Sequence, residues 1–245
     1  MRTTVIIPTY NEAGNVRALC EGIRAALPAA SILIVDDGSP DGTAALARSL
    51  NGRLGRIEVL ERSEKAGLGA AYRAGIAHAI EQGAEICIQM DADLSHDPVV
   101  LPALVANVEH GADLAIGSRY VPGGRTIDWP WNRVALSRWG NRYVAGVLGL
   151  AVNDATAGYR AYSADALQRM DFDTVAASGY GFQVEMTHRL VRAGGSIVEF
   201  PITFRERQAG SSKLSGGIVN EAFVLVLKLW LSDSRGRRER RRAGR

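Results

Sequence analysis

The sequence predicts an α/β fold: a mostly parallel central sheet with helices on both faces, in a single domain. Three observations predict it. Short apolar runs of strand length alternate with longer helical stretches through the first 120 residues. The chain has 245 residues, 47% of them apolar, which is enough to bury a full core. Acidic and turn-forming residues gather just after the apolar runs, and in open parallel sheets ligands sit beyond the carboxyl ends of the strands.

Taken in order, the strands are expected at Thr4–Ile7, Ser31–Val35, Ile57–Leu60, Glu85–Met90 and Asp113–Gly117. The helices between them are expected at Asn15–Leu27, Thr43–Leu50, Leu68–Gln82 and Pro98–Glu109. Asn11 and Asp41 signal helix starts, and Gly83 signals a helix end. After Gly117 the pattern loosens. A loop, GSRYVPGGRTIDWPW, leads into a helix over Val134–Leu150, a strand at Gly158–Tyr162 and a helix over Phe182–Ala193. Strands follow around Ile197–Phe200 and Ile202–Arg205, then a polar loop, Gln208–Gly217, and a last apolar helix, Ile218–Leu231. There is no internal repeat.

Composition excludes several classes. Cys20 and Cys87 are the two cysteines, so neither a disulfide scaffold nor a cysteine-ligated zinc site is expected. The four histidines, His78, His96, His110 and His188, are scattered and predict no His-rich metal site. The opening MRTTVIIPTYNE has only a four-residue apolar-rich run and does not read as a signal peptide, which predicts a cytoplasmic setting. The net charge of +3 averages two unlike parts. The last eleven residues hold seven Arg and one Glu, so they carry +6 and residues 1–234 carry −3. A basic tail over residues 232–245 suits an anionic membrane surface, nucleic acid or plain solvation.

The strand ends read PTYNE, VDDGSPDGT and MDADLSHD. Carboxylates gathered at one sheet edge repel each other, and a cation relieves the repulsion. Asp91 and Asp93 flank one residue after an apolar strand and can both approach a hard divalent ion, Mg²⁺ or Mn²⁺, which also holds phosphates. Asp41 reads better as a helix cap. A strand followed by Asp-x-Asp also opens the aspartyl-phosphate phosphatases, but those place it on their first strand and here it follows the fourth. KAGLGAAYRAG contains a G-x-G, yet a charged segment, ERSEK, separates it from its strand, against a dinucleotide fingerprint. Its glycines are expected to let backbone pass close to a bound phosphate or base.

Together, PTYNE, DDGSPDGT, KAGLGAAYRAG, DADLSHDP, GSRY, GYGFQVEM and RQAGSSKL resemble the family-2 glycosyltransferases of the GT-A type, and within them the polyprenol-phosphate (dolichol-phosphate) mannose synthases. The resemblance spans about residues 4–231 and implies a catalytic domain over 1–231. In it a nucleotide-sugar half, about 1–117, precedes an acceptor half, about 118–231. It implies transfer of mannose from GDP-mannose to a polyprenyl phosphate, with inversion and with Mg²⁺ or Mn²⁺ as cofactor. Pro8, Tyr10 and Glu12 would cradle guanine and ribose, and Val35 and Asp37 would support the nucleoside. Asp91, Ala92 and Asp93 would line the diphosphate, with Asp93 the principal metal ligand. Ser95 stands where the family often has Gln and would reach the metal directly or through water. Arg119, Arg207 and Lys213 would face the phosphates as the catalytic cations. Gly181 stands where some relatives carry Lys.

The acceptor phosphate, with a second pKa near ~6, arrives charged, so a general base is largely unnecessary. This suits a sequence in which no histidine converges on the site. No apolar run reaches the ~18–20 residues needed to span a bilayer. Instead Trp129, Trp131 and Trp139 lie among Arg133, Arg138 and Arg142, and Trp230 precedes the Arg-rich tail. Aromatics beside Arg on a helix suit the headgroup level, so peripheral attachment at the inner face of the membrane is expected, with or without an embedded partner protein. The remaining readings are transfer from UDP-glucose or another nucleotide sugar to the same lipid, a membrane-binding module without catalysis, and a nucleic-acid binder. The acidic body counts against the last.

Overall fold

A computed structural model of the chain describes residues 1–63, 66–177, 179–206 and 224–233. Strands are β1 (Thr3–Thr9), β2 (Ser31–Asp36), β3 (Ile57–Glu61), β4 (Ile86–Gln89), β5 (Leu114–Ser118), β6 (Arg125–Ile127), β7 (Arg160–Ser163), β8 (Ile197–Pro201) and β9 (Thr203–Arg205). Helices are α1 (Val16–Ala26), α2 (Thr43–Leu54), α3 (Leu68–Glu81), α4 (Leu101–Glu109), α5 (Trp131–Leu148), α6 (Ala164–Arg169) and α7 (Gly179–Arg192). Residues 224–233 are helical as well.

Seven strands form one sheet in the order β3-β2-β1-β4-β7-β5-β8. All neighbours are parallel except β7, which lies antiparallel between β4 and β5. The expected halves therefore share one sheet. A separate two-stranded ribbon, β6 with β9, lies outside it. Val5 to Ile7 and Ile32 to Val35 are buried on both faces, which is why they read as continuous apolar runs rather than alternating ones.

The two faces carry different helices. Leu19, Cys20 and Ile23 of α1 join Ala47 and Leu50 of α2 and Leu101, Leu104 and Val105 of α4 in one cluster. The i, i+3, i+4, i+7 spacing of Val16, Leu19, Cys20 and Ile23 gives α1 its single buried stripe. On the other face Ala71, Tyr72 and Ile76 of α3 pack with Val144 and Leu148 of α5 and Phe182, Val184 and Met186 of α7. A Cβ on Gly75 would lie 2.5 Å from Ile6 Cγ2 and 2.8 Å from Val35 Cγ2, and one on Gly69 would lie 2.8 Å from the Ala177 carbonyl. These glycines serve helix packing. For these two glycines packing replaces the expected approach of a phosphate or base; Gly67, at φ 90° just before α3, has open space where a Cβ would stand.

Helix boundaries follow local chemistry. Gly83, at φ 81°, closes α3 as expected, with its N–H donating to Ile80 O and that of Ala84 to Ala79 O. Asp41 acts as the cap expected of it. It stands just before α2 and accepts from Thr43 N, Thr43 Oγ1 and Ala13 N. Burial pushes its carboxyl pKa up, but these bonds outweigh it and hold the pKa below the usual value. Asn11 caps nothing. It takes a left-handed φ of 63° and α1 begins only at Val16.

Candidate active site

The parallel register brings three strand ends side by side. Pro8 is opposite Val35, Thr9 is opposite Asp36, and Gln89 lies beside Ile6. The turns PTYNE, VDDGS and MDADLS therefore leave the sheet at one edge, as the motif reading expects.

At the end of β4 the chain turns sharply. Ser95 N donates to Asp93 Oδ1 at 3.1 Å, and Leu94 between them sits at φ 61°. A left-handed leucine costs roughly 1–2 kcal/mol, so strain is stored in the turn that carries the two carboxylates. Asp91 is fixed from three sides. Tyr72, fully buried on α3, donates its hydroxyl to Asp91 Oδ1 at 3.1 Å. Asp91 N donates to His96 Nδ1 at 3.3 Å. Gly158 lies against the carboxylate, where a Cβ would stand 3.3 Å from Oδ2.

His96 is a residue the sequence reading did not place. Its ring is buried, stacked on Tyr159 at 4.7 Å and edge-on to Phe204 at 5.6 Å. Burial lowers its pKa against the pull of Asp91 and Asp93, which favours the neutral ring and an acceptor at Nδ1. It braces the acidic turn from behind. The expectation of no convergent histidine is thereby corrected, though this imidazole holds backbone and is not placed as a base.

The donor set suits a hard cation. Asp91 and Asp93 offer carboxylate oxygens, and the Ser95 hydroxyl beside them is buried without a hydrogen-bond partner among the described residues. No group of three or more His, Cys, Asp or Glu side chains forms a metal cage among the described residues. Two carboxylates and a hydroxyl fit Mg²⁺ or Mn²⁺, which are commonly held by one or two carboxylates with water and substrate phosphates completing the shell.

Along the neighbouring strand ends, Tyr10 is 39% exposed at the rim. Glu12 is half-buried, accepts from Asn15 Nδ2 at 2.8 Å and donates its N–H to Thr43 Oγ1. Asp36 is structural, taking Thr9 Oγ1, Ser39 N and Ser39 Oγ. Asp37 is buried and paired with Arg62 Nη1 at 2.9 Å. Val35 is fully buried with its side chain in the core, so only its backbone is available to a ligand. Ala92 is buried, and Pro8 half-buried, in the same edge.

Arg119 is expected to face the phosphates, with a surface salt bridge as its ordinary alternative; the structure gives it a buried partner. Arg119 is itself buried, and its Nε and Nη2 hold both oxygens of Asp154 at 2.7 and 2.6 Å. Nη2 also reaches Thr156 Oγ1 at 2.9 Å, and the guanidinium lies among Tyr120, Trp129 and Phe204. Asp154, fully buried, is the partner the sequence did not show. Arg207 and Lys213 lie outside the described residues, as does the Gln208–Gly217 loop. Gly181 has a packing reason: a Cβ there would lie 2.8 Å from Leu225 Cδ2 of the C-terminal helical segment.

Helix α5 borders the site with two unlike faces. Asn141, Val144 and Leu148 point inward. Outward, Trp131 (82% exposed), Trp139 (52%), Arg138 and Arg142 line a groove of about 650 Å³ with Trp129 and Val134. Trp139 is thus a surface residue, stacked on Tyr143 at 5.8 Å.

Comparison with known proteins identifies the family. Glycosyl transferase family 2 matches residues 4–171. Polyprenol monophosphomannose synthase of Mycolicibacterium smegmatis is 48% identical over 98% of this chain and 90% of its own length. Undecaprenyl-phosphate mannosyltransferase of Micrococcus luteus is 48% identical over 95% of each chain. Among solved structures, glucosyl-3-phosphoglycerate synthase from Mycobacterium tuberculosis, in complex with Mn²⁺, uridine diphosphate and phosphoglyceric acid, shares the fold. It has a TM-score of 0.72 and 18% identity, over 94% of this chain and 78% of its own. A family match over most of the chain and two near-full-length relatives at this identity lead to one conclusion: the chain belongs to glycosyl transferase family 2.

Proposed function

We propose that the chain transfers mannose from GDP-mannose to the phosphate of a polyprenyl phosphate, inverting the anomeric carbon, at a membrane surface. The observation that carries the reading is the 48% identity, over nearly the full length, with two proteins named for mannosyl transfer to polyprenyl phosphates. The geometry supports it. An acidic turn suited to a diphosphate-bound cation faces the same edge as the nucleoside-side turns, and an aromatic and basic helix lies beside it.

The residues divide the work. Asp91 and Asp93 would hold Mg²⁺ or Mn²⁺, which would neutralise charge on the departing diphosphate; the Mn²⁺ complex of the fold neighbour is consistent with such a metal. Tyr72 and Ser95 N orient the carboxylates before substrate arrives, so little reorganisation is needed during reaction. Pro8, Tyr10, Glu12 and Asp37 form the nucleoside side, and Arg119, Arg207 and Lys213 supply cationic charge toward the phosphates. The acceptor phosphate arrives as a charged nucleophile, so in-line placement replaces general-base catalysis. Among the described residues no helix is long and apolar enough to cross a membrane. The outward face of α5, tryptophans with Arg138 and Arg142, is suited to lie at headgroup level on the inner leaflet.

The test is product formation. The chain, polyprenyl phosphate in phosphatidylglycerol-containing vesicles, and Mg²⁺ or Mn²⁺ are incubated with labelled GDP-mannose or UDP-glucose, and the lipid product is resolved by chromatography. Label in a mannosyl lipid phosphate from GDP-mannose is expected. Label from UDP-glucose alone would replace mannose with glucose, and no lipid product with either donor would refute the transferase reading.

A further inference from the structure

Helix α5 contains a polar residue where packing alone calls for an apolar one. Asn141 occupies its inward stripe with Val144 and Leu148 and is 2% exposed. Asn is a poor helix-interior residue, because its side chain competes for backbone groups. Here it is held by a specific partner across the interface. Its Oδ1 accepts from Thr156 N at 3.2 Å, and its Nδ2 donates to Thr156 Oγ1 at 3.1 Å and to Ser137 O at 3.0 Å. Because Thr156 N can only donate, the amide orientation is settled.

The Thr156 hydroxyl is a junction. It accepts from Asn141 Nδ2 and from Arg119 Nη2, which fills both acceptor positions, and its one proton points to Asp154 Oδ1 at 3.4 Å. Asp154 in turn holds Arg119 by its backbone N–H, Nε and Nη2. The same segment is clamped from its far side. Glu199 takes Asn153 N and Asp154 N, and the buried Arg160 binds the carbonyls of Ala155 and Ala157. Next comes Gly158, whose backbone lies against the Asp91 carboxylate. Residues 153–158 therefore join three things: the inward side of the aromatic-basic helix, the buried Arg119, and the acidic turn.

We infer that Asn141 and Thr156 are positioning residues, which transmit the seating of α5 to the Arg119–Asp154 pair and so set the acceptor side of the site. The inference rests on the proposed transfer to a lipid phosphate. With Nε and Nη2 held by Asp154 and Thr156, the orientation of the whole guanidinium is dictated by this junction. A rotation of α5 about its axis moves Asn141 and, through Thr156, the plane of Arg119. Tyr120 adds a second tie, donating its hydroxyl to Ser137 Oγ at 2.6 Å one turn before Asn141. The network meets the acidic turn at Gly158, and its hydrogen bonds run through α5, Arg119 and residues 153–160.

The test compares Thr156→Val, which keeps the shape and deletes the hydroxyl, with Thr156→Ser, which restores it, and with Asn141→Ala. Transfer kinetics with polyprenyl phosphate in vesicles, GDP binding by calorimetry and vesicle co-sedimentation are measured for each. The expected pattern is a roughly 10- to 100-fold loss in kcat/KM for the acceptor in Thr156→Val and Asn141→Ala, because small misplacements at a reacting centre carry losses of that order. GDP affinity falls by less than acceptor kcat/KM, because Arg119 is one of several cations placed toward the phosphates; vesicle binding stays within about twofold, and Thr156→Ser recovers most of the rate. Unchanged acceptor kinetics in Thr156→Val, or parallel losses in GDP affinity, would overturn the inference. Hydrogen exchange reads the same coupling without transfer. Thr156→Val is expected to speed exchange in α5 and residues 153–159 and leave β1 to β3 unchanged, and unaltered exchange in α5 would overturn the inference. Failure of the unaltered chain to make any lipid product would count against the proposed function, with the exchange result still deciding the coupling.

Discussion

Asp154→Ala removes the carboxylate that grips Arg119 with both oxygens. The pair is well buried, with side-chain exposures of 7% and 0%, and it is bidentate with contacts of 2.6 and 2.7 Å. Removing one partner of a buried pair leaves an uncompensated charge and costs about 3–5 kcal/mol. Here the loss also orphans the Arg119 backbone N–H, which donates to the same carboxylate. For a domain of this size 1 kcal/mol moves Tm by about 2–4 °C, so a fall of about 6–20 °C is expected. Urea unfolding of Asp154→Ala, Arg119→Met and the double variant forms a cycle. The guanidinium already lies among Tyr120, Trp129 and Phe204, so methionine meets apolar neighbours. The double variant should be more stable than Asp154→Ala alone, with a coupling of at least about 2 kcal/mol. Additive single effects, or losses under about 1 kcal/mol, would show that the pair behaves as a surface bridge and refute the reasoning.

Three further outcomes follow from other parts of the molecule. Gly75→Ala gains about 1 kcal/mol of helix propensity but drives a methyl into Ile6 and Val35, so net destabilisation of about 1–2 kcal/mol is expected in urea unfolding, and a stabilised variant would contradict the packing account. Burial pushes the Asp113 carboxyl up, but the Ser196 N–H and the Arg169 guanidinium outweigh it and hold its pKa below the ordinary value. Its contribution is therefore present above its unfolded pKa of about 3.9 and is lost as pH falls through the folded value; Asp113→Asn should flatten the unfolding midpoint's dependence on pH below about 4.5, and an unchanged profile would refute the assignment. Replacing Trp131 and Trp139 together by Ser should weaken sedimentation with anionic vesicles at least about tenfold while Tm stays within about 3 °C, since both are exposed; equal vesicle binding would remove α5 from the membrane contact.

Much of the fold was legible because its strands are buried on both faces. Ile32 to Val35 and Ile86 to Ile88 read as uninterrupted apolar runs, and the helices between them carry one stripe each. What escaped was non-local. β7 is expected as a strand at Gly158–Tyr162, but its place between β4 and β5 depends on antiparallel pairing that no local pattern encodes. Arg160 is tolerated there because four residues' oxygens, on Ala155, Ala157, Tyr162 and Thr187, and the Gln183 carbonyl accept from it. β6 is three residues inside a loop and is defined by β9 alone. α6 is short and starts from a Ser163 cap that was legible but not used.

The site shows the same division. The acidic turn was legible because a carboxylate pair after an apolar strand has few inexpensive explanations. The glycines of α3 were misread because closeness to a helix or sheet and closeness to a ligand select the same residue. Asp154 and His96 were invisible for a shared reason: each acts through a partner far along the chain, Arg119 in one case and the Asp91 backbone in the other. A buried polar residue announces itself in sequence only when its partner is local.

Donor binding by calorimetry tests the central claim most directly: GDP-mannose against UDP-glucose, each with and without Mn²⁺, on the chain and on Asp93→Ala. The account predicts metal-dependent binding of GDP-mannose that falls at least about a hundredfold in Asp93→Ala, in which one of the two carboxylates placed to hold the cation is gone. Tight binding of UDP-glucose in preference would contradict the donor, and GDP-mannose affinity that ignores both the metal and Asp93 would contradict the role given to the acidic turn.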